Sequence, residues 1–157
     1  TGVLLGAKSV CAQRALLDMF AERRVWKVYV AVCVGLPEVR TEVSEPIGRH
    51  PTDRIKMAVA EDGRSAHSVV HRLASNGRLS LVAVLIRTGR THQIRVHLQH
   101  LRCPLLGDPV YGDITWNKKE VHRASRPLLH AYAVRFAHPI SEELMHVQAP
   151  PPHEIVQ

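Results

Sequence analysis

Three arginines and two histidines fall within the eleven residues Arg87-Thr88-Gly89-Arg90-Thr91-His92-Gln93-Ile94-Arg95-Val96-His97. Cations packed this densely, beside the free N–H groups of a helix start, make a place for an anion. The plain alternative is a solvated basic helix lying across a core strand. Other side chains with chemical capacity stand elsewhere. Asp108 and Asp113 flank Tyr111 in a loop rich in glycine and proline. A loop carboxylate near a basic helix could be catalytic, although Asp108 closing its own turn by an Asx-type hydrogen bond is the better supported reading. Tyr29 shares a strand face with Lys27 and Ala31. It could stack on a base, worth roughly 1–3 kcal/mol in single-strand recognition, or serve as a core tyrosine. His67 and His71 are four residues apart and His97 and His100 three apart, but no third ligand stands at a metal-binding distance, so no metal is expected. No nucleophile-elbow, phosphate-loop or dinucleotide glycine motif is present.

The elements that must position these residues read clearly in places. Leu81-Val82-Ala83-Val84-Leu85-Ile86 is an unbroken apolar run that suits a central strand covered on both faces. Gly89 permits a sharp turn, Thr91 can cap the next helix, and Ile94, Leu98 and Leu101 form its apolar stripe, with Arg95 pointing away from it. Upstream, residues 3–8 read as a short strand, and Ser9 can cap an amphipathic helix over 10–24. Residues 25–34 form the clearest strand. A long connection over 35–54 holds short β pieces near 41–43. Strands over 55–60 and 64–73, joined at Glu61-Asp62-Gly63, lead through the Asn76-Gly77 hairpin signal into 79–86. Strands over 128–136 and 143–148 follow, and Pro150-Pro151-Pro152 marks the C-terminal edge. The fold class is therefore α+β: a mixed, mostly antiparallel sheet with two main helices packed on it.

At 157 residues, with 45% hydrophobic and 22% charged residues, the chain has the size and composition of one globular domain. Its excess of 21 Lys+Arg over 14 Asp+Glu, net +7, is spread without forming a tract, as in many nucleic-acid-binding domains. Cys11, Cys33 and Cys103 suggest neither a disulfide framework nor a zinc knuckle. No signal peptide or run of membrane-spanning length occurs. The chain opens at Thr1-Gly2-Val3 without a methionine, inside what reads as a strand, and is expected to be a fragment.

Lys27-Val28-Tyr29-Val30-Ala31-Val32-Cys33-Val34-Gly35, the run Arg87 to Leu98, the loop Pro104-Leu105-Leu106-Gly107-Asp108-Pro109-Val110-Tyr111-Gly112, Leu129-His130-Ala131 and His138-Pro139 together resemble the RluA-type RNA pseudouridine synthases in order and spacing. The likeness extends from Thr1 to about residue 150. It implies a catalytic domain over 1–150, truncated at its N-terminus, with a C-terminal tail over 151–157. The implied activity is isomerisation of uridine to pseudouridine in structured RNA, rRNA or tRNA, by an aspartate that breaks the glycosidic bond while uracil turns and rejoins through C5. That aspartate belongs to a His-Arg-Leu-Asp stretch ahead of a Thr-Ser-Gly or Thr-Thr-Gly. Thr1-Gly2 resembles the end of this motif, so the nucleophile is expected about four residues upstream and the chain alone is expected to be inactive.

The resemblance assigns Tyr29 to the tyrosine that packs on the target base and removes its C5 proton. It assigns Arg95 to the arginine that keeps the aspartate ionised in a water-poor pocket. Without that aspartate, Arg95 would be a half-buried cation lacking a partner. Arg90, His92 and Gln93 are the expected RNA contacts, Leu105 and Leu106 the apolar wall of the base pocket, and Tyr111 a structural residue. RNA is the expected partner, with no cofactor, metal or membrane; a monomer is expected, inside the cell, in cytoplasm or organelle. The rival readings are a non-catalytic RNA-binding module that kept the fold and lost the nucleophile, and a metal-dependent hydrolase using the histidine pairs.

Overall fold

The computed structural model describes residues 1–122 and 124–156. The Ser9 side chain accepts from the N–H of Ala12 and starts α1 (Val10–Ala21). The helix stops three residues short of the expected Arg24 because Arg23 turns into the left-handed region, with φ 60°. Met19, the buried residue of α1, packs with Val25, Val134 and Phe136. Next come β1 (Trp26–Val34), β2 (Arg40–Val43), β3 (Ile47–Arg49), β4 (Met57–Val59), β5 (Ser68–Ser75) and β6 (Leu79–Ile86). α2 (Gln93–His100), α3 (Ile114–Lys119), β7 (Leu129–Ala137), β8 (Leu144–Gln148) and α4 (His153–Val156) complete the chain.

Six strands form one sheet in the order β2-β5-β6-β1-β7-β8, every pair antiparallel. The sheet's one parallel feature among the described residues is the isolated bridge Gly2 to Ala131, which replaces the strand expected over 3–8. β1 and β6 are its centre, as the apolar run over 81–86 requires. Their register places Lys27, Tyr29, Ala31 and Cys33 on one face with Val82, Val84 and Ile86. Ile94 and Leu98 of α2 cover that face. The opposite face, with Val30 and Val32, is covered by Leu106, Leu128 and Ile155.

β3 and β4 form a separate two-stranded sheet. The sequence suggested that residues 55–60 and 64–73 would pair with each other around the Glu61-Asp62-Gly63 turn; instead they separate. Ile47 of β3 pairs with Val59 on one side and bridges Arg64 on the other. Gly63 makes this possible: a Cβ there would lie 2.5 Å from the carbonyl carbon of Ile47. The small sheet gives α2 a second apolar neighbour, Val96 packing with Ile47, Ala66 and Tyr111. The helix is thus held between two sheets, which fixes where Arg95 points. At Asn76-Gly77 the hairpin forms as its residues dictate, the Asn76 side-chain Oδ1 accepting from Arg78 and Leu79 N–H groups. α3 was not anticipated; Asp113 caps it by accepting from Trp116 N–H at 2.9 Å. In α4, beyond the Pro150-Pro151-Pro152 run, Ile155 is buried in the core.

Candidate active site

The turn from β6 into α2 is built by side chains rather than by the expected Thr91 cap. His92 occupies the cap position in left-handed conformation, φ 57°, and makes no side-chain cap bond. Gln93 does the organising. Its side-chain oxygen accepts from the Thr88 hydroxyl at 2.8 Å and from Arg90 N–H at 3.0 Å, and its NH2 donates to His67 O and Ser68 Oγ, each at 3.0 Å. Gln93 is buried and its amide is filled within the protein, so it is not the RNA contact the sequence suggested. The network continues to His97. The Glu45 carbonyl can only accept, so His97 Nε2 carries the proton and donates to it at 2.9 Å. Ser68 Oγ, already accepting from Gln93, then donates to His97 Nδ1 at 2.8 Å. Both ring nitrogens of His97 are thereby occupied, which removes it from any metal-ligand pair with His100.

Burial is the main cause lowering the pKa of His97, and it likewise lowers that of His92. A histidine kept neutral in the fold but free to protonate when unfolded, near 6.5, makes the unfolded chain bind more protons. Stability is therefore complete above about pH 6.5 and falls as pH drops below it. Chemical denaturation between pH 8 and 5 should show this decline; a flat profile would contradict the assigned neutral state.

Arg95 leaves the buried stripe of α2 as expected, but it does have a partner. Its Nε and Nη2 donate to Asp108 Oδ2 and Oδ1, both at 2.7 Å, a bidentate fork onto a carboxylate with a fully buried side chain. The expectation of an unpaired cation is corrected, because the Asp108 loop folds back against α2. Asp108 also serves its own turn, Oδ1 accepting from Val110 and Tyr111 N–H groups at 2.9 and 3.1 Å. Burial alone would raise its pKa, but the guanidinium and these N–H donors outweigh it and hold the carboxyl below its ordinary value. Arg95 stacks on the Tyr111 ring, 4.7 Å from the centroid. The Tyr111 oxygen accepts from Met57 N–H at 2.8 Å and shares a hydrogen bond with His92 Nδ1 at 2.9 Å. Tyr111 is structural, as expected. Arg95 Nη1 has no protein partner among the described residues.

Tyr29 lies on the same sheet face as α2 and packs against the cluster that contains Ile94 and Leu98. Its open side is a cleft lined by Val3, Leu5, Phe20, Lys27 and Ala131. Arg95 does not line this cleft. Burial raises the Tyr29 pKa, so it is a neutral phenol, and lowers that of Lys27 beside it. Leu105 and Leu106 do not form one wall: Leu105 is buried on the Tyr29 face and Leu106 on the opposite face. Successive residues of an extended segment point opposite ways, which rules Leu106 out of a pocket beside Tyr29. Arg90 is partly exposed, its Nε donating to Ser65 O at 2.9 Å. The residue missed by sequence reading is Asp108 as the anchor of Arg95. Its turn-forming role was visible in the Gly-Asp-Pro context, but the long-range pairing left no local signal.

Residues 1–100 match the family model described as RNA pseudouridylate synthase. An uncharacterized RNA pseudouridine synthase of Chloroflexus aurantiacus is 42% identical over 155 residues, 99% of this chain and 48% of that protein. Ribosomal large subunit pseudouridine synthase D of Xanthomonas campestris is 40% identical, covering 99% of this chain and 49% of the relative, and that of Escherichia coli K12 is 39% identical, covering 100% and 51%. The chain therefore spans about half the length of the curated relatives it matches. Among solved structures, human RNA pseudouridylate synthase domain containing 1 superposes with a TM-score of 0.79 at 31% identity, over 93% of this chain and 62% of that one. On the match to the family model, the Arg87 to Leu98 run and the shared fold, this chain belongs to the RNA pseudouridylate synthase family, in its RluA-type branch.

Proposed function

We propose that the protein to which this chain belongs converts uridine to pseudouridine in structured RNA, rRNA or tRNA, and that the chain supplies Tyr29 and Arg95 while a segment preceding Thr1 supplies the nucleophilic aspartate. The observation that carries this reading is the forked guanidinium of Arg95. Asp108 takes Nε and Nη2, leaving the Nη1 edge for a second carboxylate. Asp108 itself cannot be the nucleophile, since its side chain is fully buried and both oxygens are engaged. The reach of the missing residue also fits. Thr1 O accepts from Ala131 N–H at 3.0 Å, and Ala131 is the register partner of Tyr29. Four extended residues span at most about 13–14 Å, enough to bring an upstream carboxylate to the Tyr29 cleft.

In the reaction, the aspartate bonds to the ribose C1′ as N1 of uracil leaves with the electron pair, uracil turns, C5 bonds to C1′ as the aspartate is displaced, and the C5 proton must leave. Tyr29 stacks on the base; as a neutral phenol it first gives its own proton to N1 of the detached uracil, and the phenolate so formed, with the Lys27 cation lining the same cleft, then takes the C5 proton. Arg90 and His92 contact backbone and ribose. The protein works as a monomer, inside the cell, and these residues call for no metal or cofactor. Incubating rRNA with this chain, and with a chain extended upstream through the aspartate, tests this. The extended chain should form pseudouridine and the shorter one none. If the extended chain forms none on rRNA or tRNA, the activity assignment fails, and RNA binding without turnover would make the protein a binding module.

A further inference from the structure

Four arginines and a lysine gather at the end of the sheet where β6 gives way to the turn before α2, and none of them has a carboxylate within 4.0 Å among the described residues. Arg87 lies over the Trp26 ring, 5.1 Å from its centroid, and lines a small cleft together with Arg23. Arg90 bonds to Ser65 O, which sets it next to Arg64. Lys27 Nζ lies 3.9 Å from where Gly89 would carry a Cβ, and sits over the Phe20 ring at 5.2 Å. Glu22 pairs with Arg24 and Glu42 with Arg40. Burial first, and then the charges of Arg64 and Arg23, lower the pKa of Arg90.

Like charges left unneutralised at close quarters are relieved by a polyanion, whose bound counterions are released in exchange. Two features identify which polyanion. Lys27 lines the Tyr29 cleft and stands beside Gly89 at the edge of this patch, so one of the patch's cations also borders the proposed site of reaction. Trp26, half exposed beside Arg87, offers an aromatic edge that bases use and carboxylates do not. We infer that Arg23, Arg64, Arg87 and Arg90 form a track for the phosphates of the RNA strand that leads the target uridine to Tyr29. This rests on the proposed activity and adds to it Arg23, Arg64 and Arg87, which lie outside the expected contacts.

The test is the salt dependence of rRNA binding by the extended chain and its Arg23→Gln/Arg64→Gln/Arg90→Gln variant. Each phosphate contact contributes about 0.7–0.9 to the slope of log affinity against log salt. The triple variant should therefore lose roughly 2 from that slope. Lys118→Gln/Lys119→Gln on α3, whose Trp116 packs on the opposite sheet face, should leave it unchanged. An unchanged slope in the triple variant, an equal loss in the α3 variant, or equally tight binding of polyglutamate would each overturn the track. Pseudouridine formation by the unsubstituted protein separates the two claims. Turnover with an unaltered slope sinks the track alone, and a reduced slope without turnover sinks the activity but leaves an RNA-binding surface.

Discussion

Replacing Asp108 with alanine is expected to destabilise the fold by about 3–5 kcal/mol, because it strands a partly buried guanidinium and strips two backbone N–H groups of their acceptor. For a domain of this size such a loss lowers Tm on the order of 10 °C. The comparison with Asp108→Leu/Arg95→Met separates charge from packing. Removing both ions relieves the desolvation that makes a buried pair expensive, so the double variant should be more stable than Asp108→Ala. Some loss must remain, since Val110 and Tyr111 N–H still lack Asp108 Oδ1. Thermal unfolding of the three chains decides it; a double variant less stable than the single one would show that the Asp108 turn, and not the Arg95 pair, holds the loop against α2.

Arg95→Lys in the extended chain is expected to reduce turnover by roughly a hundredfold while RNA affinity stays within about twofold. Lysine keeps the charge but loses the planar fork, and a reacting group misplaced by about 1 Å costs on that order. Asp108 cannot hold an ammonium in two-point geometry, so the cation would swing away from the incoming aspartate. Single-turnover rates and binding isotherms measured on one RNA give both quantities. Equal losses in rate and affinity would make Arg95 an RNA contact instead.

Much of the frame was readable from residue types. The unbroken apolar run over 81–86 gave the central strand, alternation gave the face of Tyr29, and Ser9 and Asn76-Gly77 marked a cap and a hairpin through their own side-chain bonds. What failed was long-range or depended on fine geometry. Gln93 looks like a polar surface residue at a helix entrance, yet Thr88, His67 and Ser68 from other segments absorb its amide. Leu105 and Leu106 read as one apolar wall until the extended backbone sends them to opposite faces. The misassigned pairing of residues 55–60 turned on Gly63, whose missing Cβ lets Arg64 slip to the far side of β3. Arg95 was placed on the right helix face from spacing alone, but its partner thirteen residues on could be found only in space.

In the proposed reaction Tyr29 acts on the proton at uridine C5. Tritium release from RNA labelled at uridine C5 reports that proton directly. With the extended chain, Tyr29→Phe should abolish release while leaving RNA affinity within about twofold, since the phenyl ring still stacks on the base. Release by Tyr29→Phe at the rate of the unsubstituted protein would take Tyr29 out of the chemistry at C5.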